Sequence, residues 1–430
     1  MKKIFNFLNN SKLFPFYIVT PIPYALGTAS ENIRIALAKA MQKKKVLLII
    51  VPKIGFRILN YHICNKYLFE DLIINGHLQH QFKLRYLINF LLNFIFVIKR
   101  SAALFIKYVL KIRLSDNYFF LEIGINDDDF DNKLNKDPDK ISKILPYNFS
   151  YIKNDTIKLQ QKDKFLSDKV FLSLKIDKNQ DFICLHVRDS SYRNDLDRRN
   201  FRNSNVANYY ELMEFLIKKD IVIFRMGINA EKKIDLKNKN IIDLPFLDIN
   251  YDFFNLHLIK ECKFFIGTQS GPLDTALLLN KSCLITNVLR VFNAIPNTSR
   301  SRVLCKIPFV KKTKEIMNLN QYLKLPFVFH HPNFINDDLD FVENTSEELF
   351  IAIKDYLTLF NSTKNTKIIL KKNQIIFNNF ILDRFSEMLV ENDKDLIKYD
   401  QKIKLLRVLK SIEGSYCPTF LNKYFNEKNL

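Results

Sequence analysis

Five short apolar runs between residues 182 and 288 constrain this chain more than any other feature. They are FICLHV (182–187), IVIFRMG (221–227), NIIDLP (240–245), KFFIG (263–267) and SCLITNV (282–288). Runs this short and this continuously apolar read as strands buried on both faces. Between the first two, SNVANYYELMEFLIKK sets Val206, Tyr209, Met213 and Leu216 on one helical face, with Ser204 or Asn205 as N-cap. FFNLHLIKE (253–261) and PLDTALLLN (272–280) read as two more helices. Strands alternating with helices of about ten to fifteen residues build βαβ units and a parallel sheet. The expected class is α/β.

Ligands of such sheets gather at the carboxyl ends of the strands. FICLHV runs through His186 to Arg188 and into a polar loop, so both side chains stand where the sheet presents its chemistry. A guanidinium offers a rigid fork of donors that matches phosphate oxygens. The alternative is a structural His beside an Arg paired with a carboxylate. The turn Gly267-Thr268-Gln269-Ser270-Gly271 joins a strand to a helix expected to open at Pro272, where a missing N–H costs nothing. Free N–H groups at a helix start favour an anion, and Thr268 and Ser270 add hydroxyls. An ordinary tight turn is the plainer reading. The chain has only 8 glycines in 430 residues, however, and two of them fall within these five positions.

LHVRDSSYRND, FRNSNVANYYELMEFL, VIFRMG and CKFFIGTQSG, in this order and spacing, resemble a family of bacterial glycosyltransferases found with surface-polysaccharide gene sets. The His-x-Arg strand end is also similar to the donor site of the O- and α-1,6-fucosyltransferases. The likeness is dense over about 180–290 and thinner elsewhere. It implies a GT-B-like fold of two Rossmann-like domains with parallel sheets facing a cleft. The acceptor-side domain would be 1–155, the donor-binding domain 156–345, and 346–430 a helical segment packing back on the body. It implies a hexosyl- or fucosyl-type transferase, metal-independent and without a cofactor, that moves sugar from a nucleotide-sugar donor to a glycan or lipid-linked acceptor. By the same resemblance Arg188 holds the donor diphosphate. His186, Arg202, Arg225, Gly227, Gly267, Thr268, Ser270 and Gly271 complete the donor site, and Tyr192 is a candidate to stack on the base. An acidic pair of the family falls on Asp252 and Asn255, so one carboxylate is missing here. Removing the acceptor's proton needs a positioned base, for which Asp189, Asp195 and Glu31 are the candidates. Arg188, Asp195 and Glu31 are the expected catalytic residues.

Upstream, FYIVTP (16–21), a helix from about 30 to 42 and KVLLIIV (45–51) read as a β-loop-α-β unit. Thr28 and Glu31 have capping-box spacing. In GT-B enzymes the equivalent loop faces the cleft, so by resemblance Gly27, Glu31 and Asn32 meet the acceptor. YFFLEIGI (118–125) reads as another strand. Asp127, Asp128 and Asp129 after it suit a solvated loop better than a metal site. His330 and His331 are adjacent and lack ligand spacing around them.

The formal charge is +21, which asks for a polyanionic partner or an anionic surface. Nucleic acid is one candidate, but the aromatic RNP motif and spaced zinc ligands are absent from the sequence. The anionic inner leaflet is the other. YLINFLLNFIFVI (86–98) is uncharged for 13 residues before Lys99-Arg100 interrupts it. A bilayer span needs about 20, so this stretch suits an interfacial helix or a core helix pair. No cleavage site follows the basic start, and three prolines within 13–30 argue against a transmembrane helix there. Six cysteines without C-x-x-C pairing fit a reducing cytoplasm. The expected location is cytoplasmic, peripheral on the inner membrane face. The rival reading is a non-catalytic, basic membrane-surface or nucleic-acid-binding protein on a degenerate transferase fold.

Overall fold

The computed structural model describes residues 2–52, 62–112, 123–125, 144–192, 200–249, 251–289, 295–296, 298–318, 321, 338–361, 372–390 and 399–424. The chain divides into two compact units. One takes residues 1–127, 148–167 and 252–257, and the other takes 128–147, 168–251 and 258–430. Asp127–Asp129, Asp195, the His330-His331 pair and most of the expected strand 118–125 lie outside the described residues.

The second unit is built on a seven-stranded sheet, parallel throughout. Its strands are β6 (Phe182–His186), β7 (Val222–Arg225), β8 (Ile241–Asp243), β9 (Phe265–Gly267), β10 (Cys283–Val288), β11 (Arg302–Cys305) and β14 (Ser415–Tyr416). The five apolar runs supply β6 to β10, and the α/β expectation holds. Every residue of β7, β9, β10 and β11 is buried, which is why these strands show no polar alternation. In space the order is β14-β11-β10-β9-β6-β7-β8. The chain enters in the middle at β6, lays β7 and β8 to one side, then returns to β9 and builds outward the other way. Helices Tyr210–Ile217, Asp252–Glu261 and Gly271–Leu278 make the crossovers. The first is preceded by a 3-10 turn, Val206–Tyr209, capped by Asn205 accepting from Ala207 N–H at 3.1 Å.

Residues 346–430 were expected to be helical. Helices Ser346–Phe360, Lys372–Val390, Tyr399–Leu409 and Pro418–Tyr424 are present, the first closed by a capping box of Thr345 and Glu348. The tail also returns a strand, β14, to the sheet edge beside β11. Its Tyr416 packs edge-on to Phe377 with ring centroids 4.7 Å apart. A two-residue strand carries no readable period, so the sequence hid it. The Pro-broken stretch after β11 forms the antiparallel pair β12 (Ile307–Val310) and β13 (Leu339–Val342).

In the first unit, β1 (Phe16–Val19) and β2 (Val46–Ile49) pair in parallel around helix Leu26–Gln42, as the β-loop-α-β reading expected. That helix starts earlier than expected. Its N-cap is Ala25, without a side-chain bond, so Gly27, Thr28 and Glu31 lie inside the helix and the Thr28–Glu31 capping box does not form. The local pattern competed with burial, since Ala29, Asn32, Ile33 and Ala36 are all drawn inside. Three two-residue strands, β3 (Ile73–Ile74), β4 (His77–Leu78) and β5 (Ile157–Lys158), pair antiparallel in the order β4-β3-β5. The outer edge of β2 meets side chains. Gln79 accepts from Ile49 N–H at 3.0 Å and donates to the Leu47 carbonyl at 3.2 Å, and Arg85 Nε donates to the Ile49 carbonyl at 2.8 Å. Residues 86–109 belong to one continuous helix, Lys83–Val109, rather than a pair. Its Ile88 and Leu92 share a core cluster with Phe5, Ile18, Leu48, Ile50 and Ile123.

Candidate ligand site at the reversal of the sheet

The strand order of the second unit turns back between β6 and β9. In open parallel sheets the crevice outside the strand ends at such a reversal is where ligands bind. β6 ends at His186, which is in register with Gly267, the last residue of β9. Beyond the strands the two loops are stitched together. Thr268 N–H donates to the His186 carbonyl, and Arg188 N–H donates to Thr268 Oγ1, each at 3.0 Å. Position 267 must be glycine for packing reasons alone. A Cβ there would stand 2.7 Å from the Phe265 ring and 2.9 Å from the His186 carbonyl.

Ser270 is the N-cap of helix Gly271–Leu278, one residue ahead of the start expected at Pro272. Its hydroxyl does not cap the helix. It donates instead to the Thr268 carbonyl at 3.0 Å, so the cap side chain takes up none of the first-turn N–H groups. Such groups face the space beyond the strand ends and favour negative charge.

Arg188 is buried except for a small fraction of its surface. Its guanidinium donates to the Asn203 side-chain oxygen, and its carbonyl accepts from Ser204 N–H at 2.9 Å. The loop that carries Asn203 is held from below by Lys306, whose Nζ donates to the Phe201 carbonyl at 3.1 Å and the Asn203 carbonyl at 2.6 Å. Burial lowers the Lys306 pKa to about 8. Glu343, 3.9 Å away, works against that shift, and the charge of Arg188 adds to it. Arg202 reaches the Gln269 carbonyl at 3.4 Å, joining this loop to the Gly-Thr turn. Arg188, Arg202, Thr268, Ser270 and Gly271 are therefore brought together as the sequence expected. Lys306 was missed, because nothing in CKIPF marks a lysine whose side chain ends inside the unit.

Arg225 and Gly227 have a different setting from the expected ligand contact. Arg225 is 2% exposed, and its guanidinium is turned onto protein groups. It donates to the Lys232 carbonyl at 2.7 Å, and it pairs with Asp243 at 3.4 Å and Asp189 at 3.5 Å. Asp189 also accepts from Ser191 N–H at 3.1 Å and Glu231 N–H at 3.0 Å. That occupies the carboxylate and leaves it poorly suited to remove a proton. Gly227 has φ +146, a backbone setting that side chains strain to adopt, and so serves the turn after β7. Asp243, at the carboxyl end of β8, was readable as a partner for an Arg on the neighbouring strand.

His186 is partly buried, with Nδ1 shielded from water and without a hydrogen-bond partner among the described residues. Burial first, and the Arg225 charge second, lower its pKa to about 4. The imidazole is thus neutral at pH 7 and can donate or accept. Tyr192 lies in a 3-10 turn after β6, but its side chain is outside the described residues.

In the first unit Glu31 is half-buried and Asn32 fully buried within helix Leu26–Gln42. Asp252 heads helix Asp252–Glu261, and burial raises its pKa. Among the described residues no group of three or more His, Cys, Asp or Glu side chains is placed to hold a metal ion. All six cysteines are free thiols. Taken together, Arg188 and Arg202 come from loops joined to the Gly-Thr turn, and the helix that follows it opens without a bond from the Ser270 side chain and with Asp274 in its first turn.

No family model matches the chain. Among curated proteins, the mitochondrial exonuclease V of Debaryomyces hansenii is 27% identical over 156 residues, 35% of this chain. The chain spans 24% of that relative's length. Among solved structures, the ADP-heptose lps heptosyltransferase II of E. coli aligns over 80% of this chain and 99% of its own, at 12% identity and a TM-score of 0.39. Neither match sets a family or an activity.

Proposed function

We propose that the chain is a metal-independent glycosyltransferase that takes sugar from a nucleotide-sugar donor. The observation that carries the reading is Arg188, fixed through Thr268 at the reversal of a parallel sheet, beside a helix start whose cap side chain is engaged elsewhere. The motif likeness to surface-polysaccharide glycosyltransferases supports it independently.

In this reading Arg188 binds the donor diphosphate and the N–H groups after Ser270 share its charge. Arg202 closes over it from the 200–204 loop. As the glycosidic bond breaks, negative charge grows on the departing nucleoside diphosphate. Donors already fixed toward that charge lower the barrier without reorganising. Two guanidinium groups and a helix start supply the countercharge that a divalent cation supplies in other transferases. Neutral His186 lends a hydrogen bond rather than a charge. Asp189 is committed to Arg225, so the proton of the acceptor hydroxyl passes to Asp195 or Glu31. The acceptor is a glycan or lipid-linked glycan, and the enzyme works at the cytoplasmic face of the membrane in surface-polysaccharide synthesis.

The test is a thermal-shift series with GDP-, UDP-, ADP-, dTDP- and CMP-sugars in EDTA. One nucleotide class should stabilise the protein, by about 2.7 kcal/mol at a hundred times its Kd. Arg188→Ala should lose that shift while melting near the wild type without ligand. A variant still stabilised as strongly as the wild type would sink the assignment. No shift with any donor, combined with salt-sensitive polynucleotide binding, would favour the non-catalytic reading.

A further inference from the structure

Helix Lys83–Val109 is long and apolar enough to cross a membrane, yet only 22% of its most apolar 18-residue stretch is buried in the protein. One side packs on the first unit through Ile88, Leu92 and Phe96. The other side leaves Tyr86, Phe90, Phe94, Val97, Phe105 and Tyr108 in solvent. Steps of three, four and eight residues keep these on one face over a length of about 33 Å. Phe90 is 68% and Phe94 58% exposed. A continuous apolar strip of this kind is a contact surface rather than scattered surface residues.

The charge around the strip identifies what it meets. Residues 72–115 contain seven Lys or Arg and not one Asp or Glu. Lys83, Lys107 and Lys111 are exposed at its two ends. Lys107 Nζ lies 5.6 Å over the Tyr108 ring, and the Tyr86 hydroxyl donates to the His80 carbonyl at 3.1 Å. One face of phenylalanines and tyrosines bordered by lysines suits the headgroup and acyl boundary, where an aromatic face is buried and ammonium groups stay in water. Helix Lys2–Asn10 repeats the pattern. Phe5 joins the same core cluster, Ile4 and Phe7 are exposed, and residues 1–30 carry three lysines and no acid.

We propose that the exposed face of Lys83–Val109, with Ile4 and Phe7, lies flat in the surface of an anionic phospholipid bilayer and holds the first unit there. The helix does not span. Crossing would strip Ile88 and Leu92 from the core cluster and carry Lys99 and Arg100 into hydrocarbon. Basic side chains along an apolar helical face are what a bilayer-surface helix uses. The inference does not rest on the transferase reading.

The experiment is co-sedimentation of the full chain with vesicles of phosphatidylcholine alone and of phosphatidylcholine mixed with phosphatidylglycerol. The wild type should pellet with the mixed vesicles and weakly with phosphatidylcholine. Phe90→Ser/Phe94→Ser should lower partitioning about tenfold or more, and Lys107→Glu/Lys111→Glu should remove the preference for the anionic mixture. All four side chains are solvent-facing, so both variants should melt with the wild type. A wild type left in the supernatant with either vesicle, or a Phe90→Ser/Phe94→Ser protein that binds unchanged, overturns the proposal. So does a vesicle-free dimer that this double substitution dissolves, which would assign the face to a second copy. Nucleotide-sugar stabilisation, measured on the same variants, should survive, which separates failure here from failure of the transferase reading.

Discussion

Replacing Arg225 with alanine separates the scaffold of the second unit from its ligand site. The truncation leaves two carboxylates, Asp243 and Asp189, and the Lys232 carbonyl without the guanidinium that all three face. Among the described residues Asp243 keeps its bond from Ile234 N–H at 2.9 Å. Breaking a buried ion pair from one side costs about 3–5 kcal/mol, because the remaining charge stays desolvated. The stranded carbonyl adds about 1 kcal/mol. Asp189 has 15% of its side chain exposed and regains some hydration, so the sum settles at roughly 4 kcal/mol. For a unit of this size that lowers Tm by about 10 °C. Arg188→Ala, losing its bond to Asn203, should cost about 1 kcal/mol. Ligand-free thermal melts and urea midpoints of the two variants make the comparison. An Arg225→Ala protein that melts with the wild type yet no longer responds to nucleotide-sugars would show that the guanidinium belongs to the ligand, and the argument would fail.

Two further substitutions probe the same site. Because burial holds the folded His186 pKa near 4, below its ordinary 6.5, the unfolded chain takes up that proton first as pH falls. Its contribution is full above about 6.5 and is lost on descending toward 4, by about 2 kcal/mol for a partly exposed ring. His186→Gln should therefore flatten the fall in Tm between pH 6.5 and 4, and equal slopes for the two proteins would mean that the imidazole is not shielded. Lys306→Met leaves the Phe201 and Asn203 carbonyls without their donor, which loosens the 200–204 loop. Trypsin should cut after Arg202 about tenfold faster, and a cleavage rate equal to the wild type would remove Lys306 from the support of the site.

Much of the second unit was legible because its strands are buried on both faces. FICLHV, IVIFRMG and KFFIG read as buried strands, and their carboxyl ends fix where His186, Arg188 and Thr268 emerge. Legibility stops where tertiary partners decide. Arg225 reads like Arg188 in one dimension, as a guanidinium at a strand end. Only the neighbouring β8, with Asp243 at its tip, turns it into scaffold. Lys306 follows a strand of ordinary appearance, and its long side chain reaches a loop a hundred positions earlier. Helix Leu26–Gln42 starts before its apparent cap because buried alanines and isoleucines outweigh a hydroxyl's local bond. The two-residue β14 is shorter than any period. Lys99-Arg100 looked like a break between two segments, yet arginine and lysine are good helix formers, and the helix runs through them.

Gln79 finishes the edge of β2 from inside the unit. An unpaired strand edge invites any passing extended chain to dock, and proteins usually guard it with charge, proline or a bulge. Here one primary amide offers the donor and the acceptor of a peptide unit, and closes the ladder as a terminating monomer stops a polymer. On this side the sheet thus ends at side chains, Gln79 and Arg85. A hydrophobic residue at 79 would strand the buried Ile49 N–H and Leu47 carbonyl, at about 1–3 kcal/mol for each group left unpaired.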